Sequence, residues 1–190
     1  MRLGTRRRGA VLCPILGAAL IACGPVPAAL AANGPKCLEA AGFKVAYRER
    51  TQSVGTDIVV HSGPSATCTL KTAGGFKVGG ADDAFYVKGL AGGVLVLDAG
   101  TGPDREVRLY DLATRTTVLT ADYDDGQKLE VKPDAVTFWE VGGTADASNC
   151  KDFASIKANG LEPALARQVT VRLPGLERTA TGAARCIARQ

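Results

Sequence analysis

The chain has a single histidine, His61, and a single tryptophan, Trp139, and aromatic residues make up only 5% of its 190 positions. Each scarcity removes a class of chemistry. A Ser-His-Asp hydrolase needs histidine as base, with a serine and a carboxylate converging on it. Ser62 and Ser65 lie near His61 in sequence, but adjacent residues on a strand point to opposite faces, and no G-x-S-x-G elbow occurs. His61 therefore reads as an ordinary strand-end residue. The scattered aromatics build no stacking platform for single-stranded nucleic acid. None of Gly74-Gly75, Gly79-Gly80 or Gly100-x-Gly102 belongs to a G-x-x-x-x-G-K-[ST] phosphate loop. Zinc sites want closely spaced cysteine pairs, and the sequence has none.

A long apolar run is missing as well. Residues 9–22 are apolar apart from a break at Pro14, and they fall short of the roughly 20 residues a permanent helical span requires. What precedes and follows them explains the shortness. Arg2, Arg6, Arg7 and Arg8 form a positive head, no acidic residue occurs before Glu39, and Ala29-Leu30-Ala31 supplies a small-x-small exit. Those are the three parts of a secretory signal. The expected organisation is a signal segment over 1–31, a tether over 32–42 and a single β-rich domain over 43–190. A second exit stays open. Leu20-Ile21-Ala22-Cys23 resembles the lipobox of bacterial lipoproteins, which implies a signal of 1–22 and a diacylglyceryl group on Cys23. Thr5-Arg6-Arg7 resembles the start of a twin-arginine signal, but no matching hydrophobic pair follows.

Charge of one sign is also scarce once the signal is set aside. The full chain holds 23 basic and 19 acidic residues. Four of the arginines fall in the signal, so residues 32–190 carry 19 of each and a net charge of zero. Neutrality withdraws nucleic acid and anionic membranes as partners. Membrane contact would come only through a lipid on Cys23.

Four cysteines remain beyond the signal, Cys37, Cys68, Cys150 and Cys186. An even count in an oxidising compartment predicts two disulfides, with three possible connectivities. Cys37–Cys68 and Cys150–Cys186 are favoured, since each pair brackets one end of the domain. A chain of this length buries roughly 70% of its unfolded surface as one domain, so the bridges reinforce a core that already exists.

Period-2 alternation dominates the body. Strands are expected at 43–48, 57–61 and 66–71, with a short one at 76–78 between the glycine pairs. Four consecutive strands follow near 85–87, 94–97, 107–110 and 118–119. Residues 94–97 are apolar on both faces, which marks a central strand. Two more strands are expected at 128–131 and 135–141. The segment Pro35 to Gly42 reads as at most a helical turn, a helix is expected from 149 to about 158 with Ser148 as cap, and a second short helix near Pro163. The predicted fold is mainly β: an antiparallel meander forming a sandwich or open barrel, with a short C-terminal helical segment. Residues 108–114 resemble the inner hairpin of a β-propeller blade, but a propeller needs at least four blades and the chain has no repeat to supply them.

Candidate chemistry is thin. Asp122-Tyr123-Asp124-Asp125-Gly126 fails the spacing of an EF-hand and reads as a turn with Asp-Gly at its tip. Asp98 and Asp104 bracket a glycine-rich loop and are the candidate catalytic pair, of the kind glycosidases use. Asp82, Asp83 and Glu140 are further carboxylates. No metal and no cofactor is expected. Residues 105–110 with their glycine loop, and residues 181–186, are similar to exported bacterial β-rich proteins of uncharacterised function, a resemblance that implies no activity. The expected role is a non-enzymatic binding or structural module of the periplasm or envelope, meeting a protein or a glycan through Asp98, Thr101, Asp104 and Arg105. An inhibitor of a foreign hydrolase is one version of it. The alternative is a carboxylate-dependent hydrolase of a glycan or cell-wall polymer.

Overall fold

The computed structural model describes residues 34–190. The expected signal over 1–31, its alternative with a lipid on Cys23, and the start of the expected tether lie outside the described residues. Strands β1 (Lys36–Ala40), β2 (Phe43–Glu49), β3 (Thr56–Ser62) and β4 (Gly75–Lys77) form one antiparallel sheet in that order. Residues 36–40 fall within the stretch expected as a tether over 32–42. Lys36–Ala40 is neither tether nor helical turn, because its backbone pairs with β2 from Lys36↔Tyr47 to Ala40↔Phe43.

A meander follows: β5 (Phe85–Ala91), β6 (Val94–Ala99), β7 (Arg105–Asp111) and β8 (Thr116–Tyr123). Tight turns set it. At the β7–β8 turn the Asp111 carboxylate accepts the amides of Ala113 and Thr114 at 2.9 and 2.7 Å. Then come β9 (Glu130–Lys132), β10 (Ala135–Thr144), helix α1 (Phe153–Ala158), β11 (Glu162–Arg172) and β12 (Glu177–Arg189). The second sheet runs β12-β11-β10-β8-β7-β6-β5, with β9 paired to the first half of β10. It curls until β9 lies beside β5, where a Cβ on Gly89 would meet Val131 at 2.9 Å. The sheets do not close into a barrel.

Two apolar cores result, and β6 serves both. Val94 and Val96 point into the curled sheet with Val107, Leu109, Val136, Phe138, Val169 and Val171. Leu95 and Leu97 point the other way, onto Val45, Ile58 and Val60 of the first sheet. A strand apolar on both faces is what central burial requires.

Three expectations fail at the ends. Residues 66–71 are a loop, not a strand: Cys68 is bonded to Cys37 of β1, and the Thr69 carbonyl lies 3.1 Å from Nε2 of His61 in β3, so the segment is tied to two strands without pairing with either. The helix is short, starting at Phe153 with no side-chain cap; Ser148 instead donates to Asp146 Oδ1 in the preceding turn. The second helix near Pro163 is absent, because Pro163 sits at the head of β11 opposite Ala188, a strand position proline tolerates. The second disulfide joins Cys150 to Cys186.

Candidate functional site

The residues singled out in sequence lie in the loop between β6 and β7 (Thr101 and Asp104) and at the strand ends beside it (Asp98 and Arg105). The β6 alternation that turns Val94 and Val96 inward turns Asp98 inward too, leaving it only 3% exposed. A buried carboxylate requires partners, and three groups meet it. Arg105, the first residue of β7, donates from Nε to Oδ1 at 2.8 Å and from Nη2 to Oδ2 at 2.6 Å, the fork geometry that suits carboxylates. Lys88 Nζ lies 3.0 Å from Oδ2. Lys88 is the unpaired residue where the β5–β6 register slips between Val87 and Gly89, and such a bulge re-aims a side chain. The third group is the buried phenol of Tyr123. Its own burial, and then the Asp98 carboxylate beside it, push its pKa well above the usual tyrosine range. Burial disfavours the Arg105 charge, but the bonds and charge of Asp98 outweigh that and hold its pKa above the ordinary value. Its guanidinium also lies over the Tyr86 ring, 5.2 Å from the centroid.

Asp104 faces outward and is bound elsewhere. Arg189, near the end of β12, donates from Nε to Asp104 Oδ1 at 2.6 Å and from Nη1 to Asp122 Oδ2 at 3.0 Å. Thr101, at the loop tip, is exposed. Asp98 and Asp104 therefore belong to separate arginine clamps, one buried and one at the surface. Most of the remaining carboxylates are also engaged. Asp83 accepts the Gly80 amide at 2.7 Å, Glu140 pairs with Arg178, and Asp124 pairs with Arg185, whose guanidinium lies 4.0 Å from the Trp139 centroid. Asp82 is exposed. His61 is buried, and its ring lies against Gly75, where a Cβ would meet Nδ1 at 2.7 Å. Among the described residues no group of three or more histidine, cysteine or acidic side chains could hold a metal ion.

A second place escaped the sequence reading. A cleft of about 510 Å³ opens on the first sheet, lined by Arg48, Arg50, Ser53, Asp57, Leu70, Lys77 and residues 78–81. Arg50 builds its rim. Its guanidinium donates to the carbonyls of Val54, Thr56, Gly80, Ala81 and Asp83 and to Asp57 Oδ1 at 3.0 Å. The rim approaches closely enough that a Cβ on Gly55, whose φ is +90°, would meet the Asp83 carbonyl at 2.6 Å. The one sequence signal was the pair of arginines, Arg48 and Arg50, at the strand end.

No family model, no curated protein and no solved structure matches the chain.

Proposed function

We propose that this protein is an exported binding module of the periplasm or cell envelope, with no catalytic chemistry of its own. The state of its carboxylates carries the reading. A glycosidase needs one carboxyl group holding a proton for the leaving group and a second one open to water or to the sugar. Asp98 is buried under Arg105 and Lys88, and Asp104 is held by Arg189. Asp98 is closed off from a substrate, and Asp104, half exposed, is left without a second carboxylate free to act with it. Export is supported by the N-terminal signal pattern and by two disulfides, which persist in oxidising compartments. A rigid sheet framework carrying polar loops suits recognition of a protein or a glycan. The 98–104 loop would meet its partner through Thr101 and the outer face of Asp104.

The test is crosslinking of the tagged protein in its native envelope, followed by pull-down and mass spectrometry. One dominant partner, lost when Thr101 and Asp104 are replaced by bulky residues, supports the reading. Release of new sugar ends from envelope polymers by the purified protein, abolished by Asp104→Ala, would replace it with a hydrolase.

A further inference from the structure

The geometry points to the cleft beside Arg48 and Lys77 as the binding site for a small acidic sugar, a ring bearing a carboxylate or a phosphate. This inference rests on the binding-module reading and names a ligand class and a position for it. The volume of about 510 Å³ falls in the range of small-molecule sites, about 300–1,000 Å³, and suits a short saccharide.

Charge indicates the class of ligand. Arg48 stands directly opposite Asp57 across β2 and β3, and Lys77 stands opposite Val59 on the same face. Asp57 is already bound by Arg50. Among the described residues Arg48 and Lys77 form no ion pair, so the lining carries two uncompensated positive charges. Both side chains are exposed to solvent at the cleft mouth, where an anion can reach them. A planar guanidinium matches the oxygens of a carboxylate or phosphate, and an ammonium adds a point charge.

The walls fit the rest of a sugar. Ser53 and the backbone of Gly79 are suited to hydroxyl groups, and half-buried Leu70 to an apolar C–H face. Both walls are tied in place beforehand, one by the six hydrogen bonds of Arg50 and the other by the Cys37–Cys68 bridge. A preformed site loses little to ordering on binding.

The experiment is an NMR titration of the exported, disulfide-intact protein with glucuronate, glucose phosphate, glucose and inorganic phosphate. Saturable shifts of the Ser53, Lys77 and Gly79 amides are expected with both acidic sugars and not with glucose. Arg48→Gln and Lys77→Gln should each weaken binding about tenfold or more while leaving the urea midpoint unchanged. No saturable shift with either acidic sugar overturns the inference, as does an equal response to glucose or unaltered affinity in both variants. Inorganic phosphate binding as tightly as glucose phosphate overturns the sugar assignment. The two readings fail separately. A silent cleft in a protein that still captures an envelope partner removes this inference alone, whereas hydrolysis of envelope glycans removes the binding-module reading.

Discussion

At the scale of single residues, Asp98 shows what a carboxylate at the end of a buried strand demands. With Arg105 and Lys88 on its two oxygens, loss of the acid strands a largely buried guanidinium. Asp98→Ala should therefore cost about 3–5 kcal/mol in urea unfolding, and pairing Asp98→Leu with Arg105→Met should recover most of it. Asp104→Ala, which removes an exposed partner of Arg189, should cost less than about 1 kcal/mol. Two pH effects belong to this scale. The folded pKa of Tyr123 lies above its unfolded value, which is about 10. Its contribution is complete below about pH 10 and is lost as pH rises through the folded pKa. The urea midpoint should fall on the alkaline side, and less steeply in Tyr123→Phe. Asp111 behaves in the opposite sense. The Thr114 amide bond, partly offset by burial and aided by the Thr114 hydroxyl and the Ala113 amide, lowers its pKa. Its contribution is present above about pH 4 and disappears as pH falls through the lower folded value. Asp111→Asn should flatten that acid limb.

At the scale of elements, the disulfides and the last strands decide the ends of the fold. The Cys150–Cys186 bridge closes a separation of 36 residues, worth about 4 kcal/mol by chain entropy. Replacing both cysteines by serine should lower stability by that order. Amide exchange should rise in α1 and the second half of β12, and stay protected in β2 and β3. How legible each element was follows from what holds it. Strands β2 and β7 declared themselves through alternation, β3 and β6 through short apolar runs, and the β5 to β8 meander through glycine or aspartate turns, which are local signals. Strand β12 did not. Its Thr-Ala-Thr-Gly-Ala-Ala stretch has weak strand propensity, and it is extended because β11 pairs with it over almost its whole length. Residues 66–71 alternate like a strand, yet a bridge and a carbonyl contact to His61 override the pattern. The candidate site was half legible for a related reason. Asp98 and Arg105 were visible as charges flanking a glycine loop. With apolar residues on both faces of β6, nothing local told which core Asp98 would enter. The cleft at Arg48 and Lys77 was hidden because β2, β4 and the 78–81 turn meet there only through pairing across β3.

At the scale of the whole molecule, the two cores share β6, so neither can melt while the other stays whole. Val96 belongs to one and Leu97 to the other. Thermal unfolding followed by Trp139 fluorescence, which reports the curled sheet, should coincide with loss of exchange protection in β2 and β3, which report the other. Leu97→Ala, a fully buried truncation, should cost about 2–5 kcal/mol and shift both probes together. Separate midpoints would show that the shared strand does not couple the cores.

The shared strand also makes the chain divisible in a useful way. The turn at Gly92 and Gly93 joins β5 to β6, so a break there separates the first sheet from the residues that cover it. Fragment 34–92 keeps Val45, Ile58 and Val60 covered only by the β5 side chains Phe85, Val87 and Leu90, and fragment 93–190 keeps Leu95 and Leu97 without the sheet they cover. Each piece is half of a lock. Fused to two proteins that meet, the halves should snap together only on that meeting, which would make this fold a two-part reporter of proximity.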